Sequence, residues 1–408
     1  MKGLKLSLIV LTATLLAVGL SGMAYAFHSG GVARCEGCHS MHQPKDTTTQ
    51  HLLAFADAGS TCLDCHAGST LGSHTAMTYP DPGAGVPPVN YAPGGDFLYL
   101  LKTYTFTGRS GTSTENGNTH GHNVIAADQG LTVTSQWAQG PGGTFNSADL
   151  TCTSCHDPHG KYRRDIGGNF SNTGLPIIGS GSTGTVPAAN QAVGSYRILA
   201  GQGYTQNAGA ITPGFPGVPI AVSPSTYNQV ESANQVRIAY GVSGSTDGKT
   251  SWGNWCGACH ANYHSTGHYV HPVDQQLGNL AVTYDQYVKS GDMTGVHASS
   301  FLSLVPFMQN SSDYTVLTPN ASNTQPTSAG PVSGDQVSCL SCHRAHASPF
   351  PSMLRWGMDN EFMVSNGVYT IESRGRTNAE AIAAYYGRPV TAFASYQRVL
   401  CNKCHAQD

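Results

Sequence analysis

CEGCHSMH, residues 35–42, holds two cysteines two residues apart, a histidine directly after the second, and another histidine three positions on. The layout returns as CTSCHDPH at 152–159 and CLSCHRAH at 339–346. Three further stretches carry the first five positions alone: CLDCH at 62–66, CGACH at 256–260 and CNKCH at 401–405. Together they use all 12 cysteines of the chain. This is the attachment pattern of a c-type haem. Two thiols add across the two vinyl groups, and the two residues between them set the span. The next histidine then lies under the ring as the proximal iron ligand. Cys35, Cys38, Cys62, Cys65, Cys152, Cys155, Cys256, Cys259, Cys339, Cys342, Cys401 and Cys404 are thus read as covalent anchors of six haems c. His39, His66, His156, His260, His343 and His405 are read as proximal ligands. A zinc site would take four ligands from paired C-x-x-C motifs, with no histidine demanded after each. Disulfides would not impose that histidine either.

The chain has 18 histidines, so twelve remain for six distal positions. Histidine supply exceeds demand, and Met41 and Met77 are read as packing residues. Residues three apart on a helical turn share a face, whereas a distal ligand must approach from the opposite side of the porphyrin. His42, His159 and His346 therefore serve haems other than those held by the motif they follow. Haems 1, 3 and 5 carry the trailing histidine and haems 2, 4 and 6 do not, which divides the chain into three dihaem units. The simplest intramolecular scheme gives the odd haems an upstream histidine (His28, His122, His271) and the even haems the trailing one (His42, His159, His346). His74 is a further candidate. His264 meets the same-face objection at its own haem, and His51, His120, His268 and His297 are read as non-ligands.

Composition agrees with a fold organised by cofactors. Charged residues are 11% of the chain and glycines number 49, a poor basis for an ordinary apolar core. The expected fold is irregular: mostly coil, with short helices and few short strands around a chain of haems. There is no basic excess to suggest nucleic acid. Residues 1–26 read as a cleaved signal peptide, with Lys2 and Lys5, an apolar run and Ala24-Tyr25-Ala26. Its removal takes the formal charge from −3 to −5, two lysines being lost. No transmembrane span is expected in the mature chain. The units are placed at 27–105, 106–270 and 271–408, as parts of one continuous fold. A Gly/Ser/Pro-rich loop at 165–250 is either a linker or a wrap over the haems. Thr283–Asp292 and Thr377–Arg388 are the best helix candidates, the latter capped by Thr377 or Asn378. Lys161–Arg164, KYRR, is either a solvated basic turn or a partner for haem propionates. The 19 tyrosines are assigned to packing.

FHSGGVARCEGCHSMH, GHNV, TCTSCHDPHGKYRR, STYN, SGDMTG, DYTVL, SCLSCHRAHAS and CNKCHA occur in this order over nearly all of the mature chain. On these motifs the sequence resembles the hexahaem OmcS-type extracellular cytochromes of metal-reducing bacteria. The resemblance implies bis-histidine irons and little regular structure. It also implies head-to-tail self-polymerisation into conducting filaments outside the cell, reached by way of the periplasm. Donors would be other multihaem cytochromes, and acceptors would be metal oxides, electrodes or partner cells. It implies further that His42 binds haem 5 of the neighbouring subunit, opposite His343. Haem 2 then needs another ligand, with His74 nearest, and His271 becomes spare. With every iron capped on both sides, the implied protein is an electron conduit rather than an enzyme; a multihaem reductase would need one open haem.

Overall fold

A computed structural model of the chain describes residues 35–46, 51–68, 74–134, 136–171, 174–224, 235–242, 247–264, 271–322 and 328–405. The signal peptide, His28 and His268 lie outside them, as does the side chain of His264. The longest described α-helix, Ala58–His66, has nine residues. The strands are as short: a hairpin pairs Tyr104–Gly108 with Gly111–Glu115, and a three-stranded sheet joins Phe362–Ser365 to Val368–Tyr369 and Tyr396–Arg398. Most of the remaining described residues are coil and turn, as the composition leads one to expect.

The short helices begin where side chains cap them. Asp57 opens Ala58–His66 by accepting the Ser60 amide, and its other oxygen accepts the Ala127 amide. Thr151 and Ser154 cap reciprocally the turn that starts at Cys152, and Ser338 and Ser341 do the same for Cys339–Cys342. Each such cap contributes about 1 kcal/mol. The serine between the two cysteines of CTSC and CLSC thus shapes the loop that presents them. Thr377, with Glu380 as the reciprocal partner, caps Asn378–Ala384. The other expected helix is displaced: it runs Leu280–Gln286 and ends as Tyr287 turns extended, so Val288–Asp292 forms a tight turn instead.

Buried apolar side chains form three clusters. One runs from Tyr162 to Trp255 and takes in Met308, Tyr314, Leu317 and Leu340. Another gathers Tyr284, Phe307, Trp356, Tyr385 and Leu400, and the last joins Leu63, Phe97, Tyr99 and Leu131 to Ala347. Two of the clusters therefore cross the boundaries drawn between units. The stretch 165–250 is no free linker. Its described part supplies Tyr196, Leu199, Phe215, Ile220 and Tyr240 to the first cluster. Phe215 stacks on Trp255 at 4.6 Å, a contact worth about 0.5–1.5 kcal/mol beyond its burial. Trp252 and Trp255 donate their indole N–H groups to the carbonyls of Ile220 and Ala200. Within KYRR, Arg164 is buried, lies 3.3 Å over the Tyr314 ring and donates to the Thr185 carbonyl. That stretch is therefore not a solvated turn at Arg164.

Candidate haem sites

Three of the six motifs are held by one repeated construction. After the first motif, Ser40 N–H donates to Leu52 O at 2.6 Å, Ala54 N–H to Cys38 O at 2.9 Å, and His39 Nδ1 bonds His51 O at 2.8 Å. At the third motif the same bonds are Asp157 to Ile198, Ala200 to Cys155, and His156 Nδ1 to Arg197 O at 2.7 Å. At the fifth they are Arg344 to Met353, Arg355 to Cys342, and His343 Nδ1 to Ser352 O at 2.7 Å. Leu53, Leu199 and Leu354 bridge the three motif histidines in the same way. In each case the carbonyl comes from a turn entering the left-handed region: Leu52 at φ 54°, Arg197 and Ile198 at 50° and 51°, Ser352 and Met353 at 57° and 59°. That backbone costs roughly 1–2 kcal/mol per residue for an L-amino acid, so the surrounding packing must hold it. The even motifs use other carbonyls: His66 Nδ1 meets His74 O at 2.7 Å and His260 Nδ1 meets Pro141 O at 2.8 Å.

A ring nitrogen committed to a carbonyl leaves the other nitrogen's lone pair for a metal and fixes the ring's direction. Five motif histidines are thus set to present Nε2. Burial keeps the imidazoles of His66, His156 and His343 below their ordinary pKa, which favours the neutral form that binds metal.

Among the described residues, four motif histidines face a second imidazole. His39 and His159 stand 6.4 Å apart between ring centroids, 6° from parallel. His156 and His346 are 6.3 Å apart at 63°, His260 and His122 are 6.0 Å apart at 32°, and His405 and His271 are 6.1 Å apart at 56°. Two metal–nitrogen bonds of about 2 Å, with the distance from each nitrogen to its own ring centre, place centroids about 6 Å apart. All four pairs have the spacing of two axial ligands on one iron. Desolvation by the surrounding protein pushes His122 down to about 4 and His346 down to about 3, so both opposing rings are neutral too.

The cysteines line up as well. Cys38 lies within electrostatic reach of Cys62 and Cys65, Cys62 of Cys152, and Cys155 of Cys259. Cys256 lies within electrostatic reach of Cys339, and Cys342 of Cys401 and Cys404. The six motifs therefore follow one another in space in the order they have in sequence. Burial pushes the Cys155 and Cys342 thiols up to about 12, and Cys259 and Cys404 up to about 11. None of the twelve cysteines is in a disulfide. Neutral thiols spaced in pairs beside an imidazole suit thioether attachment of a haem, so this donor set fits the group.

The expected order of distal ligands does not hold. His159 faces the first motif rather than the fourth, and His346 faces the third rather than the sixth. His122 faces the fourth motif rather than the third, and His271 the sixth rather than the fifth. The reason is local. The helical turn ends before the motif histidine, which is extended at His343 (φ −110°, ψ 154°), so the trailing histidine is thrown out towards the preceding unit. At the third motif Asp157 fixes this bend by accepting the His159 and Lys161 amides. His74, a further candidate for haem 2, stands beside the second motif through its backbone. Its carbonyl meets His66 Nδ1 at 2.7 Å. His42 is exposed and faces no motif ring of its own chain among the described residues.

His120 gives Nδ1 to Ser348 O and has Nε2 2.9 Å from Glu115, and His297 pairs with Asp285. Both are occupied by protein groups. Met77 is fully buried among apolar side chains and Met41 is exposed. The carbonyls of His51, Arg197 and Ser352 were missed in the sequence. Their signal is a recurring aliphatic pair, Leu52-Leu53, Ile198-Leu199 and Met353-Leu354, at irregular distances from the motifs.

Comparison with known proteins agrees with this arrangement. A family model described as a doubled CXXCH motif matches residues 330–361. The C-type cytochrome OmcS of Geobacter sulfurreducens is 43% identical over an alignment of 441 positions that spans the whole of both chains. Two solved structures are similar at 42% identity, each covering 93% of this chain and 100% of the other. They are a cryo-electron microscopy structure of OmcS nanowires, with a TM-score of 0.85, and an outer membrane cytochrome S filament, with a TM-score of 0.84, both from Geobacter sulfurreducens.

Proposed function

This chain belongs to the OmcS family of c-type cytochromes and carries six covalently attached haems, and from that premise we propose that it polymerises head to tail outside the cell and conducts electrons along them. Each haem supplies an iron that gains and loses one electron without changing its ligands. The protein's part is to hold the irons in sequence, cap them on both sides and exclude substrates.

One observation carries the polymer: the ligand supply is shifted by one unit. His346 of the third unit faces the odd motif of the second, and His159 of the second faces the odd motif of the first. Continued by one step, His42 of the first unit serves the odd motif of a third unit. Its own chain already directs His271 away from His343 and onto His405. The neighbouring subunit's His343 is then the partner of His42, and haem 5 is completed in trans. The even motifs follow a parallel rule, each taking the histidine upstream of both motifs within its own unit: His122 for haem 4, His271 for haem 6, and so His28 for haem 2. A subunit that donates at one end and accepts at the other makes a heterologous contact, which extends without closing.

The division into three dihaem units is part of this reading. So are export by the signal peptide through the periplasm, multihaem cytochromes as donors, and metal oxides, electrodes or partner cells as acceptors. Among the described residues no helix is long and apolar enough to cross a membrane. Electron microscopy of secreted material tests the polymer. Filaments whose conductance needs all six attachment motifs are expected, and separate particles under conditions that preserve assembly would defeat it.

A further inference from the structure

The second and third units share a contact of which the third unit holds only half. In the second unit, His122 Nδ1 bonds the Ala345 carbonyl at 2.8 Å. Ala345 directly precedes His346, the ring that faces His156. The carbonyl before one distal histidine thus holds the next distal histidine, and the two sit on adjacent motifs, the third and the fourth.

His271 occupies the place of His122 by three separate measures. Val124 N–H closes a turn onto His122 O at 2.7 Å, and Val273 N–H does the same onto His271 O at 2.8 Å. Three residues after each histidine, Ile125 N–H bonds Leu150 O at 2.9 Å and Asp274 N–H bonds Val337 O at 3.0 Å. Leu150 and Val337 each stand two residues before the first cysteine of the unit's odd motif. Each histidine finally faces the motif histidine of its unit's even site, at 6.0 Å and 6.1 Å. Among the described residues the third unit shows no counterpart of Ala345. Shifted by one unit, as the ligands are, that counterpart is Met41, directly before His42. Among the described residues nothing bonds the Met41 carbonyl, and His271 Nδ1 has no acceptor.

We propose that the Met41 carbonyl of the neighbouring subunit accepts the Nδ1–H of His271, so that the sequence Met41-His42 completes haems 5 and 6 of the next chain together. The proposal rests on the reading of His42 as a ligand in trans and adds a second bond to that junction. It makes the sixth haem dependent on assembly although both of its axial histidines belong to one chain. A carbonyl on Nδ1 orients the distal ring and raises its basicity. His271 is therefore held firmly only in the polymer.

One feature of the second unit is not carried over. Gly121 lies so close to His346 O and Ala347 that a Cβ there would clash at 2.5 Å, and the matching position before His271 is Val270. The proposal therefore covers the imidazole bond alone.

A cryo-electron microscopy map of assembled protein, resolving side chains at the junction, tests this. The expected result is His42 against the neighbouring subunit's His343 and His271 Nδ1 about 2.8 Å from the neighbouring Met41 O, an ordinary hydrogen bond. Filaments with His42 in trans but that distance beyond about 4 Å would overturn the bond and leave the polymer standing. Filaments joined without His42 at the neighbouring His343 would overturn both readings.

Discussion

His156 and His346 face one another at 6.3 Å although one belongs to the second haem pair and the other to the third. Phe97, from the first unit, stacks on His346 at 4.6 Å. Three units therefore meet at one pair of facing imidazoles. His346→Ala should open the third haem, seen as a new high-spin ferric signal. That signal should persist when the sixth haem is deleted through Cys401→Ser and Cys404→Ser. It should vanish when the third is deleted through Cys152→Ser and Cys155→Ser. The reverse pattern would restore the scheme first read from the sequence.

The facing rings also differ in twist. His39 and His159 are 6° from parallel, whereas His156 and His346 are 63° apart and His271 and His405 are 56° apart. Parallel imidazoles split the iron d-orbitals strongly, and crossed ones leave two of them nearly degenerate. Low-temperature electron paramagnetic resonance should therefore contain both a rhombic low-spin signal and a species with a larger maximal g value. A single uniform low-spin species would contradict these ring angles.

Glu115 ties the second unit to the third. It accepts Arg376 and Arg374, and His120 Nε2 stands 2.9 Å away, all with Glu115 only 7% exposed. Arg376 also lies 3.9 Å over Tyr104 and donates to Pro349 O. Glu115→Gln leaves a buried guanidinium without its charge partner. That should cost about 3–5 kcal/mol and lower the thermal unfolding midpoint by several degrees, read by circular dichroism.

Two carboxylates give opposite pH dependences. Burial works against ionised Glu115, but His120 and Arg376 outweigh it and hold the group down to about 2. Its folded value lies below the ordinary value of about 4.3, so its stabilisation is present above that pH and is lost as pH falls towards 2. Asp96 is fully buried, and desolvation raises it to about 6 despite hydrogen bonds from Thr78 and Leu98. Its folded value lies above the ordinary value of about 3.9, so its stabilisation is present below that pH and is lost as pH rises through 6. Asp96→Asn keeps the Thr78 and Leu98 amides on the remaining oxygen. It should flatten stability between about pH 4 and 6, and Glu115→Gln should flatten it between about 4 and 2. Denaturant titrations at several pH values separate the two.

Ser352 is left-handed at φ 57° and its carbonyl holds His343. Ser352→Gly should retain the turn. Ser352→Val places a β-branched side chain where it is a steric outlier, costing about 1–2 kcal/mol or more. The fifth haem should then respond with a shifted midpoint potential in the valine variant and none in the glycine variant.

The attachment sites were legible because their chemistry is local: thiol, thiol and imidazole must be contiguous, so sequence displays them whole. His122, His159, His271 and His346 stood out for a similar reason, and each faces a motif histidine. Which motif each faces was not legible. It depends on extended backbone at the motif histidine and on the Asp157 bend, and these redirect a side chain without altering any spacing. The three carbonyl turns were hidden because a backbone acceptor imposes no residue type. Leu53, Leu199 and Leu354 fall 14, 43 and 11 residues after their motif histidines, as subtraction of the numbering gives. The helix at Asn378–Ala384 was readable from its cap, read as Thr377 or Asn378, although the expected span ran on to Arg388. The one at Leu280–Gln286 was misplaced because the tight turn at Val288–Asp292 decides where it ends.

The unit-shifted ligation is tested most directly by ferric electron paramagnetic resonance of His42→Ala beside the unaltered protein. The expected result is six low-spin haems in the unaltered polymer. In the variant, one haem in six should turn high-spin, with assembly weakened. Filaments of His42→Ala with all six haems still low-spin would contradict it.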